Sequence, residues 1–378
     1  MLNKFSYVYR SLTKTLQFMK IRTLFLSSLL LLSTSILYNC SSDDTKPEKG
    51  NPDDPEIPII EEPEPPKEGT YNYKTFDKVY VGIETGQSQS SEGSFTFPTD
   101  IEKVKTIKMY IQNECPDKSC DEWDRYANVY VKNKTTDEWY EIGRFITPYW
   151  VGFEKLERGL EIDVTDFKSL LNGETELKIY TETWSAGGRE YSVDFDFIYG
   201  ETAYKYSAVT PIIQENKSSI DGVPYGENHN RDLTKTIKLP SNTEQAYIRT
   251  IISGWGHATP NDAGGRGCAE WCFRTHNILI DGSPTYEHYL GPIGCANNPV
   301  NNQAPGNWKG ERAGWCPGMA VPTRIDLLTG NLASKSFTFE YQLTDWANNQ
   351  NNGKAYYAIS NFIVVHSTTP IEPSTVQE

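Results

Sequence analysis

The chain has 378 residues, with 50 acidic against 36 basic side chains and a formal charge of −14. That excess divides as +5 in the first 39 residues, −7 in residues 41–68 and −12 from Gly69 onward, so no basic patch remains for a nucleic-acid partner. Five histidines and seven cysteines further restrict the metal and thiol chemistry open to it.

Residues 1–39 carry Lys4, Arg10, Lys14, Lys20 and Arg22, no acid, and then the apolar run "TLFLSSLLLLSTSILY". This is the pattern of an export signal and takes no part in the fold. A start at Met19 gives a tighter signal. Cys40 follows the apolar run at once and resembles the lipid-modified cysteine of a lipoprotein, although "ILYNC" lacks the small residues usual before such a site. Membrane attachment is therefore expected only through a lipid on Cys40, with simple secretion as the alternative. Residues 40–69 form an acidic, proline-rich stalk with too little apolar matter to bury.

Six cysteines remain, at 115, 120, 268, 272, 295 and 316. An even number in an exported chain reads as disulfides. The two short spacings suggest Cys115–Cys120 and Cys268–Cys272, which leaves Cys295–Cys316. A zinc reading of the four close cysteines needs reducing conditions, and paired thiols leave no cysteine nucleophile.

From residue 70 onward the apolar periodicity is that of short strands, as in "SFTFP", "VKTIKMYIQ", "NVYVKN", "ELKIYTET", "YSVDFDFIYG", "KTIKLP", "HNILIDG" and "YYAISNFIVVH". Many short strands between turn signals predict antiparallel sandwiches or jelly rolls. The pattern also repeats. "FTFPTDIEKVKTIKMYIQ" from Phe95 aligns without a gap onto "IKLPSNTEQAYIRTIIS" from Ile237, and "CDEWDRYANVYV" parallels "CAEWCFRTHNILI" with one inserted residue. Gly188, Tyr191, Val193, Phe197 and Ile198 match Gly353, Tyr356, Ala358, Phe362 and Ile363 at identical spacing. The expectation is two related β domains, 70–205 and 206–378, each large enough for its own core.

Each repeat presents an acidic loop beside a short disulfide: Asp121, Glu122 and Asp124 just after Cys120, and Glu270 between Cys268 and Cys272. A small covalent loop restricts the backbone, which suits a carboxylate that must be held in place. It equally suits a loop that only caps a sandwich. Trp123, Trp184, Trp255 and Trp271 stand close to these acids or to other polar groups, and rings with carboxylates and arginines are what a sugar site needs. A tryptophan wall also desolvates an acid and raises its pKa. The histidines lack metal-ligand spacing, and no nucleophile elbow occurs.

"CDEWDRYANVYVKNKTT", "EWYEIGRFITPYWVG", "RGLEIDVTDFKSLL", "YTETW", "SGWGHA", "RGCAEWCFRTH" and "RAGWCPGMAVPTRID", in this order, resemble the peptide-N-glycosidase F family over about residues 74–373. The resemblance implies an all-β protein of two adjacent eight-stranded jelly rolls. It also implies an amidase that acts on N-glycoproteins and glycopeptides by cutting the bond between asparagine and the first GlcNAc, with no metal or other cofactor. Carried over by position, the family's principal catalytic aspartate falls on Asp124 and its glutamates on Glu270 and Glu182. Arg125 and Arg312, with Trp123, Trp184, Trp255 and Trp271, fall on residues in or around its site, and its three disulfides correspond to the pairs above. The stalk and lipoprotein-like leader depart from the freely secreted type, and the "SAGGRE" stretch after Trp184 departs in side chains. A monomer anchored to the outer membrane of a Gram-negative bacterium is expected. An endoglycosidase or a non-catalytic lectin for the same glycans stands as the competing class.

Overall fold

Alternating apolar residues become antiparallel strands throughout the described residues. The structure, a computed structural model, describes residues 68–83, 89–116, 120–185, 187–262, 264–304, 306–349 and 353–378. The leader, Cys40 and the stalk up to residue 67 lie outside the described residues.

The first half holds β1 (Gly69–Lys74), β2 (Val79–Val81), β3 (Ser90–Thr96), β4 (Val104–Glu114), β5 (Tyr126–Asn133), β6 (Glu138–Ile146), β7 (Leu160–Asp163), β8 (Glu174–Thr181) and β9 (Arg189–Tyr199). The second holds β10 (Tyr206–Glu215), β11 (Val223–Pro224), β12 (Thr234–Lys238), β13 (Gln245–Trp255), β14 (His257–Ala258), β15 (Cys268–Ala269), β16 (Arg274–Ile280), β17 (Ser283–Leu290), β18 (Arg324–Leu327), β19 (Ser336–Gln342), β20 (Tyr356–Ser367) and β21 (Thr375–Gln377). One sheet of the first half runs β1-β9-β4-β7 and the other β3-β8-β5-β6, while the second half repeats this as β10-β20-β13-β18 and β12-β19-β16-β17. Each half is thus a two-sheet antiparallel sandwich of one strand order.

The three repeated segments land on equivalent strands: β3 and β4 on β12 and β13, β5 on β16, and β9 on β20. Gly188 and Gly353, which open the last pair, both adopt left-handed backbone, at φ 54° and 87°. That region is open to glycine at little cost. Each half has its own core, with Ile107, Met109, Val129, Phe195 and Phe197 in the first and Ile248, Ile252, Phe339, Tyr357 and Ile363 in the second.

The halves meet along β6, β5, β13 and β20. An outward sheet face is ordinarily solvated, but β6 is buried at seven consecutive positions because its second face packs on the other half. Its outer edge bonds the chain 318–321, with Ile146 N–H donating to Met319 O at 3.0 Å and Val321 N–H to Arg144 O at 2.8 Å. Glu141 and Arg144 are both wholly buried in this seam. Arg144 donates to both Glu141 oxygens at 2.8 Å, to Ala358 O at 2.7 Å and to Ser253 Oγ at 2.9 Å, while Asn216 donates to Glu141 at 3.1 Å.

Removing one partner of such a pair strands the other charge in a dry environment. Arg144→Leu is expected to lower the unfolding free energy by about 3–5 kcal/mol in urea denaturation. A change under about 1 kcal/mol would show that water reaches the seam.

Candidate active site

Asp124 stands two residues before β5, in a loop tied down from several sides. Buried Asp121 takes Arg125 bidentately, at 2.7 and 3.0 Å, and accepts from the Trp123 N–H at 3.1 Å and from the Thr183 hydroxyl. Thr147 accepts from the Arg125 N–H at 2.8 Å. Beneath the loop, fully buried Arg189 donates to the carbonyls of Asp121 at 2.7 Å, Pro148 at 2.6 Å and Val151 at 2.5 Å. One guanidinium therefore sets the spacing between the Asp124 loop and the loop bearing Tyr149.

Glu270 is held differently. The Cys268–Cys272 disulfide closes its loop, β15 pairs with β14, and the Glu270 N–H donates to Gly256 O at 3.1 Å while its carbonyl accepts from the Ala313 N–H at 2.7 Å. Pairing of His257 with Ala269 sets His257 beside Glu270. His257 Nε2 lies 2.9 Å from Glu270 Oε2 and also 2.9 Å from the Trp271 indole nitrogen. That nitrogen has one hydrogen position, so it either donates to Glu270 or accepts from Trp271. The bond to Glu270 raises the His257 pKa.

Arg312 joins the two acids across the seam. Its side chain is fully buried, with Nη2 at 3.2 Å from Asp124 Oδ2 and Nε at 3.9 Å from Glu270 Oε1. Nη2 also donates to the Tyr149 hydroxyl at 3.1 Å and to Asn307 Oδ1 at 3.0 Å, and Nη1 to the carbonyls of Asn307 and Gly310. The guanidinium lies between the rings of Trp271 and Trp315, at 4.5 and 5.2 Å from their centroids. Burial, with the charge of Glu270 adding to it, outweighs Arg312 and pushes Asp124 up to about 6. An acid with that value holds or gives up a proton near neutral pH.

Glu182 follows β8 and is buried, its carboxylate accepting from the backbone N–H of Ser219 at 2.7 Å; burial raises its pKa. Trp123 and Trp184 stand 52% and 55% exposed, open to a ligand. Trp271 is part-exposed beside Arg312. Trp255 is 8% exposed and stacks on Trp315 at 4.3 Å, so it supports the site from behind and offers substrate no free face. All three disulfides join the cysteines expected. Among the described residues, one grouping of metal-type ligands occurs: Cys295, Glu311 and Cys316. Its sulfurs are bonded to each other and Glu311 accepts from the N–H groups of Ile293, Gly294 and Cys295, so it offers no free ligand set.

A profile described as "Peptide-N-glycosidase F, C terminal" matches residues 224–364. Over 311 residues the chain is 68% identical to peptide-N(4)-(N-acetyl-beta-D-glucosaminyl)asparagine amidase F of Elizabethkingia miricola, covering 82% of this chain and 88% of that protein. The chain belongs to the peptide-N-glycosidase F family. The solved structure of PNGase F from Flavobacterium meningosepticum, titled a glycosylasparaginase, is 68% identical and superposes with a TM-score of 0.81 over 82% of this chain and all of that one. A structure titled PNGF-II is 15% identical, with a TM-score of 0.61 over 79% of this chain and 65% of that one, and shares the fold.

Tyr149, Asn307 and His257 join this cluster without being singled out in the sequence. Tyr149 sits in "TPYWVG" as one aromatic among many, and Asn307 in a loop with no periodicity. His257 had a signal in "SGWGH", a histidine two residues beyond a strand tryptophan, but only the pairing of β14 with β15 brings it to Glu270.

Because the folded Asp124 binds its proton more tightly than the unfolded chain, its ionisation costs stability. The cost is absent below about pH 4, grows as pH rises to about 6 and stays constant above, on the order of 3 kcal/mol. Relative to Asp124→Asn, the wild-type melting temperature is expected to fall across that window and nowhere above it. Parallel melting curves from pH 4 to 8 rule the burial argument out if wild type gains stability instead.

Proposed function

We propose that the chain hydrolyses the amide bond between asparagine and the first GlcNAc of N-glycoproteins and glycopeptides, releasing the intact glycan and leaving aspartate. Membership of the peptide-N-glycosidase F family supports the activity. The observation that carries the mechanism is Arg312, one buried cation touching Asp124 and approaching Glu270 from between the halves.

Water attacks the asparagine side-chain carbonyl and the carbon–nitrogen bond breaks. Glu270, kept near Arg312 and His257, takes the proton of that water. Asp124, with its raised pKa, delivers a proton to the departing sugar nitrogen, and exchange with solvent resets the pair. The Arg312 guanidinium offsets the negative charge that gathers on two acids so close together. Glu182, pinned by Ser219, holds sugar hydroxyls, while Trp123 and Trp184 offer rings to the apolar faces of the pyranoses and Arg125 braces the loop. All of these groups act as they stand, and no step in this scheme is routed through a metal or cofactor.

The repeated strand order supports reading residues 70–205 and 206–378 as two jelly-roll domains whose seam is the site. The leader and three disulfides support export, with a lipid on Cys40 as the attachment, and a site whose two acids come from one chain needs no second copy.

Mass spectrometry of a glycopeptide after incubation decides the reaction class. Conversion of asparagine to aspartate with loss of all sugar is expected; one retained GlcNAc marks an endoglycosidase, and unchanged substrate marks a lectin. Asp124→Asn is expected to lose turnover by at least about a hundredfold while keeping its fold, in line with loss of a general acid. Turnover within a few-fold of wild type overturns the assignment.

A further inference from the structure

Next to Glu182, a cavity of about 470 Å³ opens where the outer face of β3, β8, β5 and β6 meets the chain after β10. The size falls within the range of about 300–1,000 Å³ common to small-molecule sites. The segment 216–219 links it to the site. Ser219, whose N–H binds Glu182, lies three residues from Asn216, and Asn216 lines the cavity while its carbonyl accepts from the Tyr126 hydroxyl at 2.6 Å. Tyr180, two residues before Glu182, lines it as well.

Its chemistry is specific. The Lys178 ammonium lies 4.3 Å from the ring centroid of Trp139 and 4.9 Å from that of Tyr130, so two rings flank it. A carboxylate oxygen of Glu92 lies 4.0 Å away. Burial lowers the Lys178 pKa. One wall therefore presents an ammonium donor beside aromatic rings. A pyranose suits both features, since its hydroxyls accept from the ammonium and its C–H face packs on a ring. The acids Glu92, Asp137 and Glu138 in the same lining disfavour a sugar that carries its own carboxylate.

Resting on the function proposed above, we infer that this cavity is a second carbohydrate subsite, which takes a neutral hexose of the glycan farther from the asparagine than the sugars at the reacting end. It adds affinity for extended glycans without touching the bond that breaks. Glu182 stands at the junction between the two parts of the site.

The test is binding of free oligosaccharides to the full chain by calorimetry. Di-N-acetylchitobiose is compared with the mannose-bearing core oligosaccharide of N-glycans. Wild type is expected to bind the mannose-bearing sugar more tightly. Lys178→Met is expected to weaken that binding by about five-fold, the worth of one hydrogen bond, and to leave chitobiose binding as it was. The Trp139 indole NMR signal of unaltered protein should shift with the larger sugar alone, which keeps the test open if a variant fails to fold. Equal affinity for both sugars, equal losses for both, or a silent Trp139 signal overturns the subsite. So does a sialylated oligosaccharide that outcompetes the neutral one in a Lys178-dependent way. Turnover of a chitobiosyl glycopeptide by wild type is measured alongside: its absence sinks the amidase reading, whereas the binding data alone decide the subsite.

Discussion

A wholly buried guanidinium governs the site. Arg312 belongs to the second half, yet the carboxylate that neutralises it at hydrogen-bond distance, Asp124, comes from the first. Burying a charge without a partner is among the costliest acts in folding, so the halves have one favourable approach, with Asp124 and Tyr149 brought to Arg312. Glu270 then stands close enough to Arg312 to share its field. Burial is what raises the pKa of Asp124, with the charge of Glu270 adding to it and Arg312 opposing it.

Such a site tolerates little play between its parts, and the seam removes that play. The Glu141–Arg144 pair reaches β13 and β20 through Ser253 and Ala358, while segment 318–321 extends the sheet of β6. Tyr126, between Asp124 and this network, donates to Asn216 of the other half. The chemistry-bearing loops thus hang from a rigid interface, and Arg189 ties two of them together underneath. Polar residues that face solvent in an isolated sandwich have been turned here into the connection between two.

Much of the architecture was legible because it was written twice. Matching segments around Phe95 and Ile237, and around Gly188 and Gly353, mark equivalent strands, since a strand's place in a sandwich depends on its own alternation and on turn glycines nearby. The cysteine pairs were legible too, because short loops leave few partners. The two-sided burial of β5, β6, β13 and β20 was not. Asn128, Glu141, Arg144 and Ser360 are polar positions on these strands, and period-two alternation cannot say whether their face meets water or a second domain.

The sequence alone determined the all-β class, the repeated strand pattern and the disulfide pairs, all of which depend on local periodicity and loop length. Through its resemblance it also named the acids. Only the tertiary structure decided that Asp124 and Glu270 meet on Arg312, that Tyr149, Asn307 and His257 join them, and that Trp255 lies behind the site and not within it. Those outcomes turn on which faces of two separate sandwiches touch, and that is settled by the burial of charges far apart in the chain.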